Sequence, residues 1–381
     1  MVALLRPRVN AQEVGRHMTP NQFETKAAPP ISWPALDVTP PVVSAPLAVF
    51  QIPGRPFGAP DRYLLLKEAV ERGQVRVTEV GGLGSVPVVR IENQGKLPVL
   101  AMQGEGLAGA KQNRSVNTTV LAPPGVTDIP VTCVEQGRWG GARHFRVEGF
   151  EPPDLRRAKS EEIHRRRFAE EWRQAPVIEK FGADQGEVWR QVREYSLERG
   201  VRSSTGDLGA VDRDPNVRRS VEEILDGIVL SDSTRGVVVA VGSRIVGADL
   251  FESPEVFAAF RSQLLRSYAA AGVLGSNDSP PPLEHARGFL LAPCGEVPSV
   301  MPPIGLGEDA RWEGPRFVAS ALVWDGILIQ GSVFPRDSRR AGKPVGRKEP
   351  GEYPFPDIHQ ADEFPSRDLC PTGARRDGPG M

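Results

Sequence analysis

Residues able to do chemistry are densest between Gln103 and Trp139, where the chain reads QGEGLAGAKQNRSVNTTVLAPPGVTDIPVTCVEQGRW. A first cluster supplies Glu105, Lys111, Gln112, Asn113, Arg114 and Asn117, and a second supplies Glu135, Gln136, Arg138 and Trp139. The lysine and arginines carry positive charge, and the amides offer donors and acceptors. That mixture suits a phosphate, a carboxylate or a ribose diol better than an apolar ligand. Interspersed glycines let the backbone come close to a ligand and expose its N–H groups. Trp139 can stack on a base or sugar while Arg138 clamps an anion. Glu105 and Glu135 are the carboxylates available for proton transfer. The same residues also fit a plain structural role. KQNR can be an exposed sheet edge, and EQGRW a strand end with an ion pair and a core tryptophan. Composition leaves both readings open.

Competing sites are weaker. Cys133 lies within an apolar strand pattern and reads as a core cysteine. His144 reads as a surface-loop residue, and His164 and His285 have no partners at a useful spacing. GGLGSV at 81–86 lacks both the following helix and the Lys-Ser/Thr of a phosphate loop. Cys133, Cys294 and Cys370 are far apart and show no zinc spacing, so neither a metal nor a resident cofactor is expected.

The elements that must carry these residues follow from periodicity. LAVFQIPG, VRVTEVGG, VPVVRIENQG, KLPVLAMQ, NTTVLAPPG and VTDIPVTCVEQG read as strands joined by connections too short for crossover helices, hence antiparallel. APDRYLLLKEAVERG predicts a helix from Asp61 to Gly73. Residues 155–200 turn helical and highly charged. RRAKSEEIHRRR mixes signs at helical spacing and reads as a solvated face. GVVVAVGSRIVGADLF is a hairpin turning at Gly242-Ser243. A helix over 254–270 follows, with Ser253 as N-cap and Pro254 in its first turn. RFVASALVWDGILIQGSVFP is a last hairpin with Asp325-Gly326 at its turn. The fold class is therefore α+β, a mostly antiparallel sheet or sandwich with helices packed on it. The core domain is expected over 47–334. Residues 1–46 read as a Pro-rich extension, and residues 335–381 as a disordered tail rich in Pro, Gly and charge.

The chain has 381 residues, 39% of them hydrophobic, and a net charge of −1. Such a balance steers the chain toward neither nucleic acid nor anionic membrane. No apolar run approaches the ~18 residues of a membrane span, no secretory leader is evident, and cysteine usage fits a reducing, cytoplasmic setting.

The chain resembles the ARPP-1 domain family, the ARG and rhodanese-phosphatase-superfamily-associated proteins. The resemblance is carried by GEGLAGAKQNRSVNTTVLAPPG, IPVTCVEQGRW, SSTGDL, GVVVAVGSRIVGADLFESPEVF and LLRSYA. It adds Ser204 and Thr205 to the candidate ligand-binding residues. It implies a genomic association with ADP-ribosylglycohydrolases and phosphatase-like proteins. The implied partner is therefore a phosphorylated ribose or nucleotide, ADP-ribose or another NAD-derived molecule, together with proteins of ADP-ribose metabolism. It also implies a histidine near the final strand, where this chain has Gln330. The same clusters fit a non-catalytic nucleotide-binding module or a partner-binding surface.

Overall fold

Strand formation follows from side-chain alternation, and in the strongest strands both faces are apolar because both are covered. The computed structural model describes residues 31–59, 61–81 and 85–336. Along the chain come β1 (Val42–Ser44), β2 (Leu47–Pro53), β3 (Leu64–Leu65) and helix α1 (Leu66–Glu71). Then follow β4 (Val75–Glu79), β5 (Val88–Asn93), β6 (Val99–Ala101), β7 (Glu105–Gly109) and β8 (Arg114–Val116). This half ends with β9 (Val120–Ala122), β10 (Gly125–Cys133) and β11 (Phe145–Phe150). Five helices succeed them: α2 (Pro153–Phe168), α3 (Val177–Lys180), α4 (Gln185–Glu198), α5 (Gly209–Arg213) and α6 (Pro215–Asp226). The hairpin β12 (Thr234–Val241) and β13 (Arg244–Phe251) leads into α7 (Pro254–Gly272) and α8 (Leu283–Leu290). Strands β14 (Ser299–Met301), β15 (Glu308–Glu313), β16 (Phe317–Trp324) and β17 (Ile327–Pro335) come last.

The fold is α+β. An eight-stranded sheet runs β1-β2-β12-β13-β17-β16-β15-β14, a six-stranded sheet runs β11-β7-β8-β10-β5-β4, and β3-β6-β9 form a small third sheet. Every pairing in the two larger sheets is antiparallel, while β3 pairs β6 in parallel. On β12, Val237 and Val239 join the core under α6 and α7. Val238 and Ala240 join the core on the opposite face, with Trp312 and Leu290. The six-stranded sheet buries Leu107, Val116, Val131 and Val147 against β4, β5 and α1.

Three sequence expectations change. The helix expected from Asp61 begins only at Leu66, because Leu64 and Leu65 pair with Val99 and Leu100 as a strand. Tertiary pairing overrides local propensity there. Part of the expected N-terminal extension is packed: Trp33 and Val38 are buried, and the Trp33 ring meets the Trp312 ring edge-on at 5.5 Å. Residues 1–30 and 337–381, with most of the expected tail and Cys370, lie outside the described residues, as does part of GGLGSV.

The third change matters most for the site. Helix α2 is not a solvated face. Arg156, Lys159, Ser160, Ile163 and His164 are all buried, at the spacing of one helical side. They lie between the two large sheets. Arg156 bonds Asp249 on β13, Lys159 bonds Ser115 on β8, and Arg167 bonds Asp309 on β15. The outer face keeps the expected local pairs, Arg157 with Asp154 and both Arg165 and Arg166 with Glu162, while the charges of the buried face tie one sheet to the other.

Candidate functional site

A cavity of about 340 Å3 opens where the six-stranded sheet meets α5, α6 and α7. This is at the small end of the range for ligand pockets, roughly 300–1,000 Å3. One wall is β7 and β8, through Gly106, Asn113, Arg114 and Ser115. Glu148, Gly149 and Glu151 supply the end of β11 and the residues after it. The loop before α5 and the helices supply Asp207, Asp212, Arg213, Arg218 and Arg266. Gly106 shows why the sequence needs glycine here, since a Cβ would collide with the Glu148 carbonyl oxygen. Its absence lets β11 close over β7, and a break in the ladder between Val147 and Phe150 turns the strand toward the cavity.

Charge is distributed unevenly around this cavity. Asp212 is exposed at the cavity rim; desolvation by the surrounding protein, with help from Asp207 and Glu148, pushes it up from its ordinary 3.8 to about 6 against the pull of Arg266 and Arg213. Arg218 and Arg266 share one carboxylate, Glu222, at 4.0 and 3.7 Å. Arg213 bonds Asp207. On the cavity wall, Lys159 Nζ donates to Ser115 Oγ at 2.7 Å and lies 2.7 Å from Glu151 Oε1. Ser115 Oγ donates to the same Glu151 oxygen at 2.5 Å. All three residues are buried.

The residues singled out from sequence fall into four places. Asn113 and Arg114 line the cavity. Gln112, Asn113, Glu135, Gln136, Arg138 and Thr205 form a hydrogen-bonded knot beside it. Glu135 accepts from the Asn113 N–H at 3.0 Å, from Arg138 Nη2 at 2.7 Å and from Thr205 Oγ1 at 2.8 Å. Burial alone would raise its pKa, but these three donors together hold it below the usual carboxylate range. Arg138 also donates to the carbonyls of Ala110 and Gly140 at 2.6 and 2.8 Å and to Asn113 Oδ1 at 3.0 Å. Gln112 Nε2 bonds the Gln136 carbonyl at 3.1 Å, while the Gln136 side chain and Ser204 are exposed. Asn113 Nδ2 carries the knot to the cavity by donating to Asp207 Oδ1 at 2.9 Å.

A third place is a cation–aromatic cluster at the far edge of β8. Half-exposed Trp139 has Lys111 Nζ 5.1 Å and the Arg114 guanidinium 5.8 Å from its ring centre. Arg114 is fully buried and bonds Gln112 Oε1 at 2.9 Å and the Cys133 sulfur. Burial pushes the Cys133 thiol up to about 11, against the nearby Arg114 charge, so it is a neutral core thiol at physiological pH. The remaining residues stand apart. Glu105 is buried on the apolar face of β7, accepts the Met102 N–H at 2.7 Å, and is pushed up to about 8 by burial. Asn117 bonds the Phe181 carbonyl at 3.1 Å and Thr132 at 2.6 Å. Gln330 accepts from Thr119 Oγ1 at 2.6 Å within the core between the sheets. Among the described residues no group of His, Cys, Asp and Glu is arranged to hold a metal ion.

The family model for the ARG and Rhodanese-Phosphatase-superfamily-associated Protein domain, ARPP-1, matches residues 35–334. The chain belongs to this family. No curated protein and no solved structure matches it. The ARPP-1 domain thus begins ahead of Leu47 and takes in β1, in keeping with the packing of that segment. Sequence reading missed several residues that line the ARPP-1 cavity. Asp207 was within reach, because it sits in the SSTGDL motif. Ser115 sits inside KQNRSVN but looks like an ordinary strand residue. Lys159, which backs Ser115 from behind the cavity wall, was hidden in a charged helix, and Asp212, Arg213, Arg218 and Arg266 have no spacing that marks them. No helix among the described residues of this ARPP-1 chain is long and apolar enough to cross a membrane.

Proposed function

We propose that this chain binds ADP-ribose or another NAD-derived nucleotide, with the phosphorylated ribose in the cavity, and acts on it hydrolytically there. The observation that carries the reading is the loosely held charge at the rim. Arg218 and Arg266 reach the Glu222 carboxylate at only 4.0 and 3.7 Å, and Arg266 faces Asp212 at longer range. Exposed pairs of this kind are worth about 0–1 kcal/mol, so turning to a phosphate costs little. Guanidinium groups also match phosphate oxygens in a bidentate manner. Asp212, which lines the cavity at its exposed rim and is raised to about 6, is the proton donor of this reading. Asn113 and Asp207 shape the wall. Glu135 and Arg138 hold Asn113 in position rather than touching the ligand, and Glu105 supports the β6–β7 turn. Trp139 and Lys111 lie outside the reading.

A thermal-shift series with ribose 5-phosphate, ADP-ribose and NAD tests it. A ligand at about 100 times its dissociation constant adds about 2.7 kcal/mol of stability. Stabilisation by at least one phosphorylated ribose is expected, reduced by Arg266→Ala. The absence of any shift across the series contradicts the proposal.

A further inference from the structure

The buried cluster of Ser115, Lys159 and Glu151 invites comparison with another ion pair of the core, Arg156 with Asp249. Asp249 also lies between the sheets, but both of its oxygens are used. They accept from Arg156 at 2.5 and 3.0 Å, from Ser332 at 2.7 Å and from Tyr268 at 2.8 Å. That carboxylate is closed, although Arg156 Nε is left without a partner, and the pair does not line the cavity. In the Ser115 cluster, Glu151 Oε1 takes both the serine hydroxyl and the lysine, while Glu151 Oε2 is buried with no hydrogen-bond partner. Both Ser115 and Glu151 line the cavity. Burying a carboxylate oxygen without a partner costs stability, so an orphan oxygen beside a cavity calls for a reason.

We propose that Ser115 is a nucleophile, with Glu151 as its base and Lys159 as the cation that stabilises its alkoxide, and that the cavity deacylates an ester of a phosphorylated sugar. This deepens, and rests on, the reading of the arginine rim as a phosphate site. A serine oxygen oriented by a base and a second charged group is the general form of an activated acyl-transfer nucleophile. Ser115 Oγ attacks the ester carbonyl carbon, and its proton passes to Glu151 Oε1, 2.5 Å away. The carbonyl π electrons move to oxygen. As they return, the sugar oxygen leaves and takes the proton from Glu151. Water then attacks the acyl-serine by the same route, releasing a carboxylic acid and restoring the Ser115 hydroxyl. Ester and water become acid and alcohol with no change of oxidation state. Lys159 donates into Oγ throughout and is not consumed. Burial pushes its pKa down, while Glu151 pulls the other way.

The test reads the nucleophile directly in the wild-type chain, so the site of the adduct does not depend on a variant folding. The chain is incubated with a short-chain fluorophosphonate, with and without ribose 5-phosphate, and adducts are mapped by peptide mass spectrometry. The expected result is one adduct, on Ser115, formed about 10²-fold more slowly in Glu151→Gln and slowed by ribose 5-phosphate. No adduct, or an adduct only on another residue, overturns the nucleophile. A Ser115 adduct that ribose 5-phosphate does not slow overturns the phosphorylated-sugar substrate instead. Thermal stabilisation by ribose 5-phosphate without an adduct overturns this inference and leaves the phosphate site standing.

Discussion

Arg156 on α2 grips Asp249 on β13 with both terminal guanidinium nitrogens, at 2.5 and 3.0 Å, and neither side chain is exposed to solvent. The two residues are 93 positions apart in sequence, and their pair pins α2 to the eight-stranded sheet. From the same helix Lys159 reaches the six-stranded sheet, so α2 sets how the cavity wall stands relative to the rest of the fold.

Breaking this pair leaves a buried charge without compensation. Asp249→Ala is expected to cost about 3–5 kcal/mol in urea unfolding. A loss under 1 kcal/mol would mean that Arg156 finds another partner or water.

Gly106 sets the closeness of β7 and β11. Gly106→Ala drives a methyl group into the Glu148 carbonyl oxygen and should push the end of β11 outward. Overpacking of this sort costs about 1–3 kcal/mol. Ligand affinity should fall in parallel, which calorimetric titration would read. Unchanged affinity would separate the strand from the site.

Much of the fold was legible before the structure. β12, β13, β16 and β17 have continuous β-branched and apolar runs with Gly242-Ser243 and Asp325-Gly326 between them, and turn chemistry of that sort acts locally. Ser253 caps α7 as its position before Pro254 foretells, accepting the Val256 N–H at 3.3 Å. The role of α2 was not legible. Its buried face carries Arg156, Lys159 and His164 where a buried helix ordinarily shows an apolar stripe. Their partners are supplied by distant strands. The candidate site was legible in half. KQNR and EQGRW do meet, through Asn113 and Glu135, but as a satisfied knot beside the cavity. Apart from Arg114, the cavity's arginines come from helices whose surface charges look like any others.

Glu105 predicts a pH signature. Its carboxyl is raised from 4.5 to about 8, so the folded state favours the protonated form. The stability it contributes is complete below pH 4.5 and is lost as pH rises through about 8. Glu105→Gln keeps an acceptor for the Met102 N–H but cannot ionise. At pH 9 it should be more stable than the wild type by roughly 3–5 kcal/mol, at about 1.4 kcal/mol per unit of the shift, with the gain vanishing at pH 4. Equal stability of the two proteins at pH 9 would show that Glu105 is not held in an apolar setting.

Asp212 should govern the acid side of function. Raised from 3.8 to about 6, it is protonated below that pH and ionised above it. Turnover that needs its proton should therefore fall as pH rises through about 6, and Asp212→Asn should abolish that limb of the profile. A limb that persists in Asp212→Asn assigns the proton to another group.

The central claim is that ligand enters the cavity between β7, β8 and the helices and not the shelf formed by Lys111 and Trp139. Equilibrium titration of ADP-ribose into wild type, the double variant Arg218→Glu/Arg266→Glu, and Trp139→Ala tests it most directly. The account predicts at least a tenfold loss of affinity in the arginine variant, about 1.4 kcal/mol, and wild-type affinity in Trp139→Ala. The reverse pattern, with binding lost in Trp139→Ala and kept in the arginine variant, would contradict it.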